Sequence, residues 1–179
     1  MKTVRFLPAL LLLSALTFAD VRNCVCDVAN PESMAQRECG LCREAEKQPP
    51  ETSVFFLKDI NPNKPHRWLA LPRVHTHSLA GLTPAQRLAL WTAAIEKAQD
   101  TWGGQWGLAV NADIRRSQCH VHVHIGQLLD GVETRDFVLV DGPAGIPLPH
   151  EDAGIWIHPV GGKLHVHLGE EAPETLLMR

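Results

Sequence analysis

The sequence predicts an α+β fold in which one long helix packs on an antiparallel sheet. Its 179 residues are about the length of one domain. Short apolar runs bounded by proline, glycine and asparagine predict strands, most clearly at residues 53–58, 66–71, 106–111 and 119–125. A single longer segment has helical periodicity instead. We therefore expect one domain with several strands and one main helix.

The predicted helix covers residues 84–101. Thr83 is a candidate N-cap, Pro84 occupies the first helical position, and Gln86 completes a capping box. Apolar residues at steps of three and four predict one face that packs on the sheet: Leu88, Trp91, Ile95, Ala98 and Trp102. Gly103 ends the pattern. We expect both tryptophans to be core residues.

Residues 1–19 have the features of an export signal. Lys2 and Arg5 precede an apolar run that is too short to span a membrane, and Ala19 stands at a suitable cleavage position. The expected location is the periplasm or the medium. Behind the signal we expect a cysteine-bearing segment (20–52), a core that contains the helix and the four strands above (53–130) and an extension of the same domain (131–179).

The composition is that of an ordinary globular protein. The formal net charge of -3 argues against electrostatic binding to nucleic acid, whereas ten histidines are an unusual number for this length.

Five cysteines allow three interpretations: disulfides, a zinc site and free thiols. Four of them cluster near the predicted mature N-terminus: Cys24, Cys26, Cys39 and Cys42. In an oxidising compartment they form disulfides in one of three pairings, whereas the two-residue spacing of Cys39 and Cys42 also suits a structural zinc site. Cys119 stands far downstream, and we expect it to be a buried apolar side chain.

Three histidines alternate with apolar residues in the predicted strand at 119–125. His120, His122 and His124 should share one face, and the intervening side chains should be buried on the other. A row of imidazoles is costly in a core, so this face is expected to bind something. Imidazoles chelate transition metals, and they also attack phosphorus and compensate phosphate charge.

The context of these histidines resembles the histidine triad (HIT) superfamily of nucleotide hydrolases and transferases. The resemblance covers residues 39–129 and includes the Cys-x-x-Cys pair, the strand and turn at 55–62, the Pro-x-x-His segment at 72–75 and the triad. It departs at Gly126 and Gln127, where the family has apolar residues, and at Arg67, where many members have histidine. His66 is a weak substitute there, because a shift of one residue turns a strand side chain to the other face.

The resemblance implies a HIT-like sheet and a role for each site residue. His122 would be the nucleophile that forms a phosphohistidine intermediate at the α-phosphorus of a nucleotide phosphoanhydride or phosphoramidate. His120 and His124 would flank the phosphate. Four further positions would bind substrate: Asp59, Asn111, Ser117 and Gln118. Asp59 and Asn111 are also explained by turn chemistry alone.

The closest branch by resemblance is the exported CDP-diacylglycerol diphosphatases, which implies a nucleotide or nucleotide-lipid substrate, in the latter case at a membrane surface. The family implies no obligatory catalytic metal, a structural zinc at Cys39 and Cys42, and commonly a homodimer. The alternative is an exported, non-catalytic zinc- or copper-binding protein that uses both histidine rows.

The C-terminal region contains the second of these rows. A strand is predicted at 137–140 and a hairpin at 154–168, in whose last strand Lys163, His165 and His167 share a face. A metal site, an extension of the phosphate pocket, a partner-facing edge and a surface row without a role all fit this pattern.

Overall fold

The structure is a computed structural model that describes residues 21–150 and 152–179. Within these residues, seven strands form one sheet whose neighbouring strands are all antiparallel, in the order β1-β2-β4-β3-β6-β7-β5. The strands are β1 (Val54–Lys58), β2 (Trp68–Pro72), β3 (Trp106–Val110), β4 (Val123–Gln127), β5 (Val138–Val140), β6 (Ile155–Val160) and β7 (Lys163–Leu168). This agrees with the predicted α+β class. The predicted export signal lies outside the described residues.

The long helix confirms its sequence signals. Of the α-helices in the described residues, α1 (Pro31–Met34) and α2 (Gly40–Glu46) are short, and α3 (Pro84–Trp102) is long. Thr83 and Gln86 exchange both capping-box hydrogen bonds, of 2.9 and 3.3 Å, and Gly103 ends the helix with a φ of 62°.

The buried face of α3 differs in part from the prediction. It consists of Leu90, Trp91, Ala94, Ile95 and Ala98. Trp91 is a core residue as expected, whereas Leu88 is exposed and Trp102 is half-buried. The reason is that Leu90, Ala94 and Ala98, which are spaced four residues apart, face the sheet. Leu88 then lies at the far edge of the buried face, next to solvent.

Helix α3 covers one face of the sheet. The apolar residues between the histidines, Val121, Val123 and Ile125, pack into this core with the buried face of α3. Strand β4 begins only at Val123, because the residues before it bond outside the sheet: the Cys119 N–H donates to the Glu38 carbonyl and the Val121 N–H to the Thr76 carbonyl. The chain bends at Cys119 and His120, so the predicted alternation of faces holds from Val121 to Ile125.

The C-terminal segment crosses the opposite face of the sheet. A 3-10 helix at Pro173–Leu176 contacts β3 and β6, and Leu177 forms an isolated bridge with Leu128. Leu177 approaches Gly107 so closely that a Cβ there would lie 2.6 Å from its Cδ2 atom. Arg67 is buried and donates to the carbonyls of Leu177 and Met178. This segment therefore closes the side of the sheet that carries the histidines.

The N-terminal segment forms two disulfides, one that joins it to the rest of the domain and one within the segment. Cys24 pairs with Cys119 and Cys26 with Cys39, each with a Cα–Cα distance of 5.6 Å. The prediction that Cys119 is an isolated buried side chain is therefore wrong, because Cys119 forms a disulfide with Cys24. Cys39 also cannot join Cys42 in a zinc site while it is oxidised, so Cys42 is left as a buried free thiol. The disulfides fit an exported protein. No helix in the described residues is long and apolar enough to cross a membrane.

We predict that peptide mapping without reduction will find these two linkages and a free Cys42. Replacing Cys24 and Cys119 together by alanine should lower the free energy of unfolding by about 2–5 kcal/mol, because the cross-link closes a long loop. Cys42→Ala is the control that leaves both disulfides in place. A linkage that contains Cys42 would contradict the assignment.

Candidate active site

A cavity of about 850 Å³ opens on the histidine face of the sheet. Its wall includes six of the seven residues predicted for the site: Asp59, Asn111, Ser117, Gln118, His122 and His124. They come from the turn after β1, the end of β3, the loop before the triad, and the triad segment. His120 does not line this cavity.

His122 is oriented by its own backbone. Its Nδ1 atom lies 2.8 Å from the His120 carbonyl oxygen, and a carbonyl only accepts, so Nδ1 carries the proton. In a neutral imidazole the lone pair is then on Nε2. His122 is buried, yet it lines the cavity. The structure therefore places a neutral, oriented imidazole at the cavity wall.

His124 lies beside His122 and above a buried ionic cluster. The two rings meet edge to face with centroids 4.8 Å apart. Glu174 is 3.5 Å from His124 Nδ1, but it also pairs with Lys64 at 2.6 Å and with Arg67 at 3.2 Å. Because two cations already share this carboxylate, it does not hold His124 as an imidazolium ion.

His120 lies behind the cavity wall. Its Nε2 atom donates to the Pro72 carbonyl at 2.7 Å, and its ring is tilted against that of His75, with centroids 5.8 Å apart. The position of His120 supports the backbone carbonyl that orients His122. Of the two histidines predicted to flank the phosphate, His124 lines the cavity and His120 does not.

Burial controls the protonation of the triad. It lowers the pKa of His120 and of His122 to about 4, and nearby cationic groups, including Arg116, add to this effect. It lowers the pKa of His124 well below the usual value, and the like charge of His122 contributes. Burial raises the pKa of Glu174, but the adjacent imidazole and ammonium groups outweigh it and lower that pKa to about 2. At neutral pH the triad is neutral and Glu174 is ionised.

Two of the predicted binding residues are engaged in holding the site together. Gln118 accepts from the Leu41 N–H and donates to the Arg37 carbonyl, both at 3.0 Å, so its amide fixes the start of α2. Asn111 is buried and accepts from the Glu174 N–H at 3.1 Å, which positions the ionic cluster. Both side chains line the cavity, and the hydrogen bonds described above join them to backbone groups of the protein.

The other two predicted residues are more open to the cavity. Ser117 is exposed at its rim. Asp59 accepts from the Asn61 N–H at 2.9 Å, which is the turn chemistry considered above, and it also lines the cavity. The second carboxylate oxygen of Asp59 is available to a ligand.

Sequence reasoning missed several charged residues of the site. The described cations that line the cavity are Arg37, Arg43, Lys58, Lys64, Arg115 and Arg116, against the acids Glu44, Asp59 and Glu174. Arg116 is buried and uses one nitrogen, Nη2, for Asp113 and the His77 carbonyl, while its buried Nε and Nη1 atoms have no partner. Its position directly before Ser117, a predicted substrate-binding residue, could have identified Arg116 as a residue of the site. Glu174 had no such signal, because it lies 50 positions after His124 in the chain (174 − 124) and only folding brings the two together.

Comparison with known proteins adds no identification. Neither a scan against protein-family models nor a search of curated proteins finds a match to this chain. The functional argument therefore depends on the sequence motif and on the geometry of the site.

In the described residues, two groups of side chains could bind a metal ion and contain no disulfide-bonded cysteine. Cys42, His75 and His120 lie behind the triad, and Glu133, His158, His165 and His167 lie towards the other end of the sheet. In the first group, burial raises the pKa of the Cys42 thiol to about 11. Cys39 is bonded to Cys26 in a disulfide, so it does not form the predicted zinc site with Cys42. Cys42 lies instead in a group with His75 and His120.

We predict that the free energy of unfolding falls as the pH is lowered from about 6.5 to about 4. The unfolded chain takes up protons on His120 and His122 in this range, while the folded chain does not until about pH 4. The loss is up to about 3 kcal/mol per histidine, at about 1.4 kcal/mol per pKa unit. Urea unfolding over a pH series measures it, and His122→Asn should give a shallower decline. An equal decline in both proteins would contradict the neutral buried state.

We also predict that Glu174→Gln lowers the free energy of unfolding by about 3 kcal/mol, because it leaves the buried Arg67 without its counter-ion. The matched control is Glu171→Gln, which removes an ion pair with Arg115 whose two side chains are 41% and 47% exposed. That change should cost less than about 1 kcal/mol. Similar losses in the two variants, measured by urea unfolding, would refute the role of Glu174.

Proposed function

We propose that this protein is a nucleotide phosphohydrolase or transferase of the histidine triad type, exported from the cell. It cleaves at the α-phosphorus of a nucleotide phosphoanhydride or phosphoramidate through a phosphohistidine on His122. The observation that carries this proposal is the buried, neutral His122, whose Nδ1–H is held by a backbone carbonyl while the residue lines a cavity rich in cations.

The state of His122 suits nucleophilic attack. A neutral imidazole with its proton on Nδ1 attacks through Nε2, and the ring becomes positively charged once the nitrogen–phosphorus bond forms. The His120 carbonyl, 2.8 Å from Nδ1, then stabilises that charge by accepting a stronger hydrogen bond. The low pKa keeps the nucleophile unprotonated throughout the neutral range.

The charge of the cavity suits a phosphate substrate. Its wall carries more described cations than acids. Arg116 has two buried N–H-bearing atoms, Nε and Nη1, without partners, and such donors are costly unless a ligand or water satisfies them. A phosphate oxygen accepts from guanidinium in this way. We infer that Arg116 and Ser117 help bind the phosphate that His122 attacks.

The other wall of the cavity suits the nucleoside. It is formed by apolar side chains: Leu41, Leu57, Ile60 and Leu69. Asp59 lies beside them and offers a carboxylate oxygen to ribose hydroxyls. A nucleobase against the apolar wall and a ribose at Asp59 would place the α-phosphate towards His122. Ile60 is almost fully exposed at the rim, so a lipid-linked leaving group such as diacylglycerol phosphate is one of the substrates to test.

The reaction balances in two steps. Nε2 of His122 forms a bond to the α-phosphorus as the bond to the leaving group breaks. A phosphate leaving group departs as an anion, and the amine of a phosphoramidate departs with a proton taken up from solvent. A water molecule, or an acceptor hydroxyl in a transferase, then attacks the same phosphorus and breaks the nitrogen–phosphorus bond. Its proton goes to solvent, and His122 is restored.

We predict that His122→Asn abolishes turnover of every substrate that the wild-type chain cleaves, with a loss of at least about 1,000-fold, because the nucleophile is removed. The panel is CDP-diacylglycerol in detergent micelles, dinucleoside polyphosphates and nucleoside phosphoramidates, with nucleoside monophosphate release as the readout. His66→Gln is the matched control, since His66 is exposed outside the cavity.

Quenching in alkaline denaturant with an α-³²P-labelled substrate should trap label on the wild-type chain at His122, because the nitrogen–phosphorus bond of a phosphohistidine survives base and is cleaved by acid. Cleavage that persists in His122→Asn would refute nucleophilic catalysis by this residue. Selective cleavage of CDP-diacylglycerol would assign the lipid-linked substrate, and cleavage of the soluble nucleotides alone would exclude it.

A further inference from the structure

The second histidine row forms a compact cluster that the proposed reaction does not use. It consists of Glu133, His158, His165 and His167, and we call it the C-terminal cluster. Its candidate ligand atoms lie within 4.8 Å of one another. The prediction that Lys163, His165 and His167 share a face holds, but His167 is buried, and His158 of the neighbouring strand joins them.

The C-terminal cluster is separate from the cavity at His122. The register places His124 beside Ala109, Ala109 beside Trp156 and Trp156 beside His167 across four strands. Three strand spacings amount to about 14 Å. The two histidine rows therefore share a face of the sheet but are too far apart to bind the same metal ion.

The distances within the cluster match those between the ligands of one ion. The Nε2 atoms of His158 and His167 are 3.3 Å apart, and Glu133 Oε1 lies 3.3 Å from His167 Nε2 and 3.4 Å from His165 Nδ1. Ligands about 2.0–2.1 Å from a tetrahedral zinc ion are separated by about 3.3–3.4 Å. The second carboxylate oxygen lies 2.8 Å from His158 Nε2.

Hydrogen bonds to Nδ1 orient the buried ring of His167, so that its Nε2 atom faces the other candidate ligands. His167 Nδ1 lies 3.0 Å from the Asp136 carbonyl and 2.9 Å from the Thr134 hydroxyl, so Nδ1 carries the proton and Nε2 presents its lone pair inward. A ligand histidine that donates its other N–H to a backbone carbonyl is the usual outer-shell arrangement. Without a cation, a single proton on His158 Nε2 would have to serve both Glu133 and His167.

Aromatic side chains hold two of the rings in place. Trp156 stacks on His167 with centroids 3.6 Å apart, and Phe137 stacks on His165 at 3.8 Å. Glu133 is half-exposed, so the cluster has an opening to solvent on the carboxylate side. Three fixed imidazoles and one accessible carboxylate form a preorganised ligand set.

We propose that the C-terminal cluster binds one divalent transition-metal ion, zinc in the first instance, through His158, His165, His167 and Glu133. Three imidazole nitrogens and one carboxylate are a ligand set that zinc accepts in tetrahedral geometry. Binding releases the proton on His158 Nε2 to solvent. The proposal does not depend on the phosphohydrolase activity, because no member of the cluster lines the cavity.

The test uses the untagged chain with its disulfides intact, treated with chelator and then titrated with Zn²⁺ by calorimetry. We expect one tightly bound equivalent, a higher melting temperature with zinc, and, with Co²⁺ as the probe, the strong visible absorption of four-coordinate cobalt. Glu133→Gln and His165→Gln should each weaken zinc binding by at least about 10-fold. Both residues are partly exposed, so these variants should fold, and equal melting temperatures in chelator verify this.

Two control variants separate the alternatives. His66→Gln changes an exposed histidine, and Cys42→Ala disables the other candidate group; both should bind zinc as the wild type does. Zinc binding that is lost in Cys42→Ala and unchanged in Glu133→Gln would overturn the proposal, as would the absence of zinc binding to the wild-type chain. His122→Asn should still bind zinc, so a failure of the proposed catalysis is distinguishable from a failure of this site.

Discussion

The histidine face of this protein depends on one buried guanidinium. Arg67 fixes the C-terminal segment through the carbonyls of Leu177 and Met178 and shares Glu174 with Lys64. A buried cation of this kind is tolerated only when hydrogen bonds and an opposite charge compensate it. Meeting that requirement brings the chain end across the sheet and places Glu174 beside His124 at the cavity wall.

The enclosure determines the chemistry available to the triad. A row of exposed imidazoles would be partly protonated near neutral pH, whereas burial removes the charged form. His122 is thereby kept neutral in a cavity that arginine and lysine side chains line, which is the state that the proposed nucleophilic attack requires. The same burial makes the neighbouring hydrogen bonds obligatory, so Gln118 and Asn111 hold backbone segments in place at the cavity wall. Binding and scaffolding are not separate tasks at these two positions.

Trp156 divides the histidine face into two parts. Its indole lies between the triad and the C-terminal cluster in the cross-strand register and stacks on His167. On one side the imidazoles line a cavity bordered by arginine and lysine, which suits an anion. On the other side they surround a carboxylate, which suits a cation. The same residue type thus serves opposite charges, because its neighbours differ.

The sequence by itself determined the local features: the capped helix, the strands, the alternation of His122 and His124 with core residues, and six positions of one cavity. The helix, the strands and the alternation follow from periodicity and capping, which act over a few residues, whereas the six cavity positions were implied by the resemblance to the HIT superfamily. The pairing of Cys119 with Cys24, the exposure of Leu88, and the arrival of Glu174 and Glu133 beside histidines were decided only by the tertiary structure. Each depends on contacts between residues far apart in the chain, whose energies no local pattern encodes.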